Sequence, residues 1–380
     1  MEIYVIALKE LGLDNATLNI MIENLEQHDF DNILKGKYLE IQILKNIDLN
    51  KYSKLLTDSK KLNDSLNKAK QIIKLNKEYG IKSILINDEK FPQNLKNIEK
   101  PPVILYYKGN GFLNKYEKSV ACVGTRKPSE FSLLAIDSLL PKLVQEEFVI
   151  ISGLAEGVDS YSHKTCLDNN GITIAVLAHG LDTIYPKQNK EMSDIILKKG
   201  GLLISEYPVG TKPDKFRFVE RNRIVAGISK SVIVFEAMEK SGTMHTINYA
   251  ISQNKPIFAP LPSKVTSLTK KICELINLRV IIPVPSRLSY ETIVYGSGYK
   301  ITKDKKRLDI VKSNRIYSIL NNIKVDNREV FELLNKNKSN KKSVNFQINE
   351  NLIDKFEKFL DDKDMSKDEL INAFIVSIIK

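Results

Sequence analysis

Residues 216–223 read Phe-Arg-Phe-Val-Glu-Arg-Asn-Arg, which puts three arginines, an asparagine and two phenylalanines in eight positions. A guanidinium suits phosphate because its planar fork donates two parallel hydrogen bonds, and a phenylalanine offers a flat face to a base. A second cationic pair, Arg126-Lys127, follows Gly124-Thr125. Small and polar residues recur in Ser152-Gly153-Leu154-Ala155-Glu156-Gly157-Val158-Asp159, in Gly180-Leu181-Asp182, and in Tyr185-Pro186. They recur again in Glu206-Tyr207-Pro208 and in Glu236 followed by Ser241-Gly242-Thr243. This chemistry binds phosphate, and neither G-x-x-x-x-G-K-[ST] nor G-x-G-x-x-G is present. His163, His179 and His245 share no metal-binding spacing, and His163 reads as a packed or helix-surface residue. Glu206 and Glu236 stand either as an acid–base pair or as carboxylates holding Arg221 or Arg223, and the second role is the expectation. Asp159 and Asp182 read as turn and cap residues. No catalytic set, metal site or cofactor is expected.

The elements that position these residues follow from the apolar runs. SVACVG (119–124), FVIISG (148–153), ITIAVLAHG (172–180), GLLISEYP (201–208), SVIVFEA (231–237) and KPIFAP (255–260) are nearly continuous in apolar residues. That texture belongs to strands buried on both faces, and helical patterns separate most of the runs. The expected fold class is therefore α/β, a Rossmann-like, doubly wound, mostly parallel sheet. Ligands of such sheets lie beyond the carboxyl ends of the strands. All five turns are expected to line one crevice there, with Arg126 and Arg221-Asn222-Arg223 on its rim and residues 216–227 forming a loop.

Leu, Ile, Asn and Lys at helical spacing predict a helical N-terminal domain over 1–88. The α/β domain is expected over 89–290, with its motif-bearing core at 119–262 and a strand at Val103–Tyr107. A basic helical or linker segment follows over 291–342, and residues 301–342 hold 12 Lys and Arg against 5 Asp and Glu. SVNFQIN, ENLIDKFEKFL and SKDELINAFIVSIIK then predict a β-α-α module over 343–380. A formal charge of +12 favours a polyanionic partner or an acidic membrane surface, although Lys-, Asn- and Ile-rich composition accounts for part of it. The 3 cysteines form no C-x-x-C pair, which fits a reducing cytoplasm. No stretch approaches the roughly 20 apolar residues of a membrane span, and no signal peptide is expected.

GTRKPS, SGLAEGVDSYSHK, LAHGLDTIYPKQN, SEYPVGT, F-x-x-RNRIVAG and VFEAMEKSGTMHT occur in an order and spacing that resemble the DNA-processing protein A (DprA/Smf) family. The resemblance covers about 91–262. It implies a Rossmann-like domain, homodimerisation, binding of single-stranded DNA and loading of the RecA recombinase onto it during natural transformation, without enzymatic activity. It points to Gly124, Arg126, Ser152, Gly153, Phe218, Arg221, Asn222 and Arg223 as DNA contacts. Lys127, Phe216, Arg217, Ser241, Gly242 and Thr243 are neighbouring candidates. Of the two phenylalanines one is expected to stack on bases and the other to pack, with Phe218 the stacker. The chain departs from the family at Val219-Glu220, where a proline and often a basic residue are usual, and an inward-pointing Glu220 would weaken a phosphate site.

The C-terminal β-α-α segment resembles a ribbon-helix-helix module, in which Ser343, Asn345 and Gln347 would face a DNA groove; a dimer contact alone is the more ordinary role. Two other functions remain open on the residues: a nucleotide-phosphate sensor or hydrolase, and duplex-DNA binding through the C-terminal module.

Overall fold

Apolar residues in runs of four to six specify the centre of this chain, and each such run becomes a buried strand. The computed structural model describes residues 1–111, 116–262, 264–284 and 290–301. The β-α-α module over 343–380, with Ser343, Asn345 and Gln347, and the basic segment beyond residue 301 lie outside the described residues. Among the described residues no helix is long and apolar enough to cross a membrane.

The N-terminal region packs α1 (Glu2–Leu11), α2 (Asn15–Asn24), α3 (Gln27–Leu34), α4 (Tyr38–Lys45), α5 (Ser53–Leu56) and α6 (Ser59–Glu78). Val5, Leu8, Leu62, Ala69 and Ile72 bury the contact between α1 and α6. Asp14 caps α2 by accepting the Thr17 N–H at 2.8 Å, and it also holds Lys51 Nζ and the Tyr52 hydroxyl. The helical reading of this region ends early, because Lys82–Leu85 is a strand, β1, at the edge of the main sheet.

After the short helix α7 (Gln93–Lys96) come β2 (Ile104–Gly109), β3 (Ser119–Val123), α8 (Glu130–Gln145), β4 (Val149–Ser152) and α9 (Val158–Asp168). Next are β5 (Thr173–Leu177), α10 (Lys190–Lys198), β6 (Leu202–Ser205), α11 (Lys215–Ile228), β7 (Ser231–Val234) and α12 (Gly242–Ser252). β8 (Ile257–Pro260), α13 (Lys270–Asn277), β9 (Ile282–Val284) and α14 (Tyr290–Gly296) complete the described chain. The six runs read from the sequence are β3 to β8. The nine strands lie in the order β1-β2-β6-β5-β4-β3-β7-β8-β9. β1 and β2 pair antiparallel at one edge, β2 runs antiparallel to β6, and the remaining neighbours are parallel. The chain therefore winds outward from β3 through β4, β5 and β6, then returns along α11 to place β7 on the other side of β3. That reversal opens a crevice at the carboxyl ends of β3, β4 and β7.

Residues 215–228 are a helix, which corrects the loop expected there. Asp214 accepts the Phe216 N–H at 2.8 Å and so satisfies one of the first orphan donors. Ile224, Val225, Ala226 and Ile228 are buried, and Arg221 and Arg223 are buried with them. The apolar stripe alone is too short to mark the helix, because the two arginines complete its inner face.

Behind the crevice, His163 on α9 is fully buried and its Nδ1 lies 2.6 Å from Thr173 Oγ1. Burial pushes its pKa from the ordinary 6.5 down to about 3, and the Arg221 charge adds to the effect. The unfolded chain thus gains a proton near pH 6.5 that the folded chain refuses until about pH 3, so this stability is intact above pH 6.5 and is lost as pH falls. Between pH 7.5 and 5.5 His163 alone is expected to remove about 1.4 kcal/mol. Urea unfolding at the two pH values checks this, and His163→Gln is expected to shrink the difference by about that amount.

Candidate nucleic-acid interface

Three strand-to-helix turns meet at the reversal in winding. A cavity of about 640 Å³ opens there, lined by Gly124–Lys127 after β3, by Gly153, Ala155 and Asp159 after β4, and by Met238 and Ser241–Thr243 after β7. Phe218, Arg221, Asn222 and Val225 of α11 form one wall, at the i, i+3, i+4, i+7 spacing of a single helix face. Ser267 and Leu268 close the far side. The turns after β5 and β6 do not line it, which corrects the expectation of five. They face one another instead, with the Gly180 N–H on Thr211 O and the Gly210 N–H on Asp182 Oδ1, because β5 and β6 lie one and two strands beyond β4.

The arginine motif divides by depth. Arg221 is 5% exposed, and its Nη1 donates to the Gly153 carbonyl at 2.8 Å and to the Val176 carbonyl. Glycine at 153 leaves room for this seat, since a β-carbon there would overlap the guanidinium and displace it. Burial lowers the Arg221 pKa and Arg126 lowers it further, while Asp159 opposes both. Arg223 is 4% exposed and forks onto Glu206, with Nη1 to Oε1 at 2.9 Å and Nη2 to Oε2 at 2.6 Å. The strand-end glutamate therefore holds an arginine. Glu236 has a different task and accepts the N–H and hydroxyl of Ser129 at the start of α8.

Asp159, half-buried on the cavity floor, accepts the N–H groups of Gly153 at 3.1 Å and Ala155 at 3.4 Å. Desolvation raises its pKa, with Arg221 and these N–H groups pulling the other way. Ser152 lies fully buried behind the floor and donates to Cys122 O at 2.6 Å.

The rim differs from the floor. Arg126 and Lys127 are exposed to solvent. Gly157 holds them there: it has φ 80°, and a β-carbon would strike the Thr125 and Arg126 backbone. The first turn of α12 carries no side-chain cap, so its N–H groups and the helix dipole favour an anion at that end. Thr243 Oγ1 donates to Gly124 O at 2.9 Å and Asn222 Nδ2 to Gly242 O at 3.2 Å, which fixes this end against β3 and α11.

Phe218 is half-buried on the wall, its ring 5.6 Å from that of Tyr185. Phe216, in the first turn of α11, is 70% exposed and lies outside the cavity lining, which corrects the expectation that it is the packed ring. Arg217, whose guanidinium stands 5.5 Å from the Tyr207 ring centroid, donates to Lys212 O. Glu220 accepts from the Tyr249 hydroxyl and is absent from the lining, so it does not point into the crevice. Thr125, Asp159 and Met238 are lining residues that the sequence reading did not count among the contacts. Asp159 was legible as a turn residue, whereas Met238 carries no sequence signal.

A family model described as DNA recombination-mediator protein A matches residues 82–278. The chain is 37% identical to DNA processing protein DprA of Bacillus subtilis over 192 residues, which is 50% of this chain and 64% of that protein. It is 42% identical to DNA processing protein DprA of Streptococcus pneumoniae over 186 residues, which is 49% of this chain and 65% of that protein. The match thus spans slightly less than two thirds of either relative. The solved structure of Streptococcus pneumoniae DprA covers 76% of this chain and is itself covered to 96%, with 31% identity and a TM-score of 0.60. A structure of the Helicobacter pylori protein, described for its single-stranded DNA binding mode, covers 57% of this chain and is covered to 96%, with 29% identity and a TM-score of 0.51.

Removing Glu206 leaves a buried guanidinium without its partner. Glu206→Gln is expected to lose about 3–5 kcal/mol of unfolding free energy. In urea titrations a double variant, Glu206→Gln with Arg223→Met, should recover part of that loss; strictly additive losses would show that the two side chains do not act as a pair.

Proposed function

The chain belongs to the DNA recombination-mediator protein A family, and we propose that it binds single-stranded DNA across the β3–β4–β7 crevice and loads a RecA recombinase onto that strand. The observation that carries this reading is the rim: exposed Arg126 and Lys127 stand beside the uncapped start of α12 and the ring of Phe218 around one cavity. Rim cations and helix N–H groups neutralise phosphates without reading sequence. Phe218 offers a face to a base, a contact worth roughly 1–3 kcal/mol. Phe216 is the more exposed ring, two residues before Phe218 and on a different side of α11.

The protein acts in the cytoplasm as a homodimer and as a binding protein rather than an enzyme. Glu206 is committed to Arg223 and Glu236 to Ser129, so neither strand-end carboxylate is free for proton transfer. In natural transformation such a mediator shelters an incoming strand until the recombinase takes it over.

Fluorescence-anisotropy titration of a labelled poly-dT oligonucleotide at several salt concentrations tests this. Arg126→Ala and Lys127→Ala are each expected to weaken binding and to flatten the slope of log K against log salt by about 0.7. Phe218→Ala should weaken binding with the slope unchanged. Equal affinity of wild type and the two cation variants would place the DNA contact elsewhere on the chain.

A further inference from the structure

The floor of the crevice already holds a side-chain carboxyl on its backbone donors. The Asp159 carboxylate takes the Gly153 and Ala155 N–H groups, and it is the one acidic residue lining the cavity among the described residues. At the start of α9 the Val158 N–H donates to Thr125 O at 3.1 Å and the Ser160 N–H to Ala155 O at 3.0 Å. Arg221, the cation at this depth, has turned its Nη1 to two backbone carbonyls.

A mononucleotide bound by a doubly wound sheet rests its phosphate on the N–H groups of such a turn. Here that phosphate would have to displace the Asp159 carboxyl and lose the two N–H donors it holds. A polynucleotide has no such need. Its phosphates are spaced along a line, and the rim supplies cations and an uncapped helix end while the floor stays closed.

We propose that Asp159 is a specificity-determining residue, a resident carboxylate that bars free mononucleotides and inorganic phosphate from the crevice floor and reserves the crevice for a strand lying across its mouth. The proposal rests on the oligonucleotide reading above. It assigns to Asp159 an electrostatic exclusion that works against one ligand class, in addition to its hydrogen bonds within the turn.

The test measures AMP and a labelled dT oligomer side by side on the full chain, for wild type, Asp159→Asn and Asp159→Ser, with thermal melting as a check on folding. Wild type is expected to bind the oligomer and to give no competition by AMP. Either neutral variant is expected to raise AMP affinity, relative to its own oligomer affinity, by about tenfold or more. AMP that displaces the oligomer from wild type, and no longer binds Arg126→Ala, overturns the proposal without recourse to any change at 159. An unchanged affinity ratio in a cooperatively melting Asp159 variant overturns it as well. Failure of all three proteins to bind the oligomer would instead overturn the function on which the proposal rests, and a gain in AMP affinity in the variants would still be read from the AMP measurement.

Discussion

The seat of Arg221 is the constraint around which the crevice is built. A buried guanidinium without acceptors is far too costly to keep. Here the Gly153 and Val176 carbonyls, at and near the carboxyl ends of β4 and β5, supply them. Each consequence follows from that placement. A side chain at position 153 would push Arg221 out of this seat, α11 has to run where its residue 221 reaches both strands, and the Asp159 carboxyl lies near enough to offset the buried guanidinium. The helix so fixed then presents Phe218, Asn222 and Val225 to the cavity by its own periodicity.

An ion pair sets the other side of the same helix. Arg223 and Glu206 tie α11 to the end of β6, and Lys9 of α1 lies close enough for both charges to act on it. Burial lowers the Lys9 pKa, and Glu206 opposes that shift. Replacing such a pair with apolar residues often leaves a protein as stable, so its contribution is better sought in uniqueness of fit. The fork of Arg223 accepts one rotation of α11, and that rotation points the neighbouring residue, Asn222, at Gly242.

Much of the fold was legible in the sequence because continuous apolar runs have few alternatives to buried parallel strands. β3 to β8 fall where Val, Ile, Leu and Ala cluster, and the glycine-bearing turns mark their carboxyl ends. α11 was not legible as a helix. Its inward face contains Arg221 and Arg223, and a charged residue read from sequence is assigned to solvent unless its buried partner is known. Those partners, Val176 O and Glu206, lie 45 and 17 residues away. The same limit applies to the turns: each of the five has the composition of a binding loop, and only strand order decides which three share a cavity. β1 was hidden for another reason, as a four-residue edge strand is too short for its alternation to stand out from the helix before it.

The motif that first suggests phosphate binding therefore does two unlike things. Of the guanidinium groups at 217, 221 and 223, two are spent inside the protein and the third is engaged with Lys212 O and the Tyr207 ring. The cations open to solvent at the cavity come from a different strand end, Arg126 and Lys127. An arginine fixed by carbonyls still contributes its positive potential to the cavity, and it does so without moving when a ligand arrives. The solvent-exposed cations at the rim are the ones that exchange counterions for phosphates, so the dependence on salt belongs to them. Depth thus separates preorganised field from exchangeable contact, and one short sequence motif supplies mainly the first.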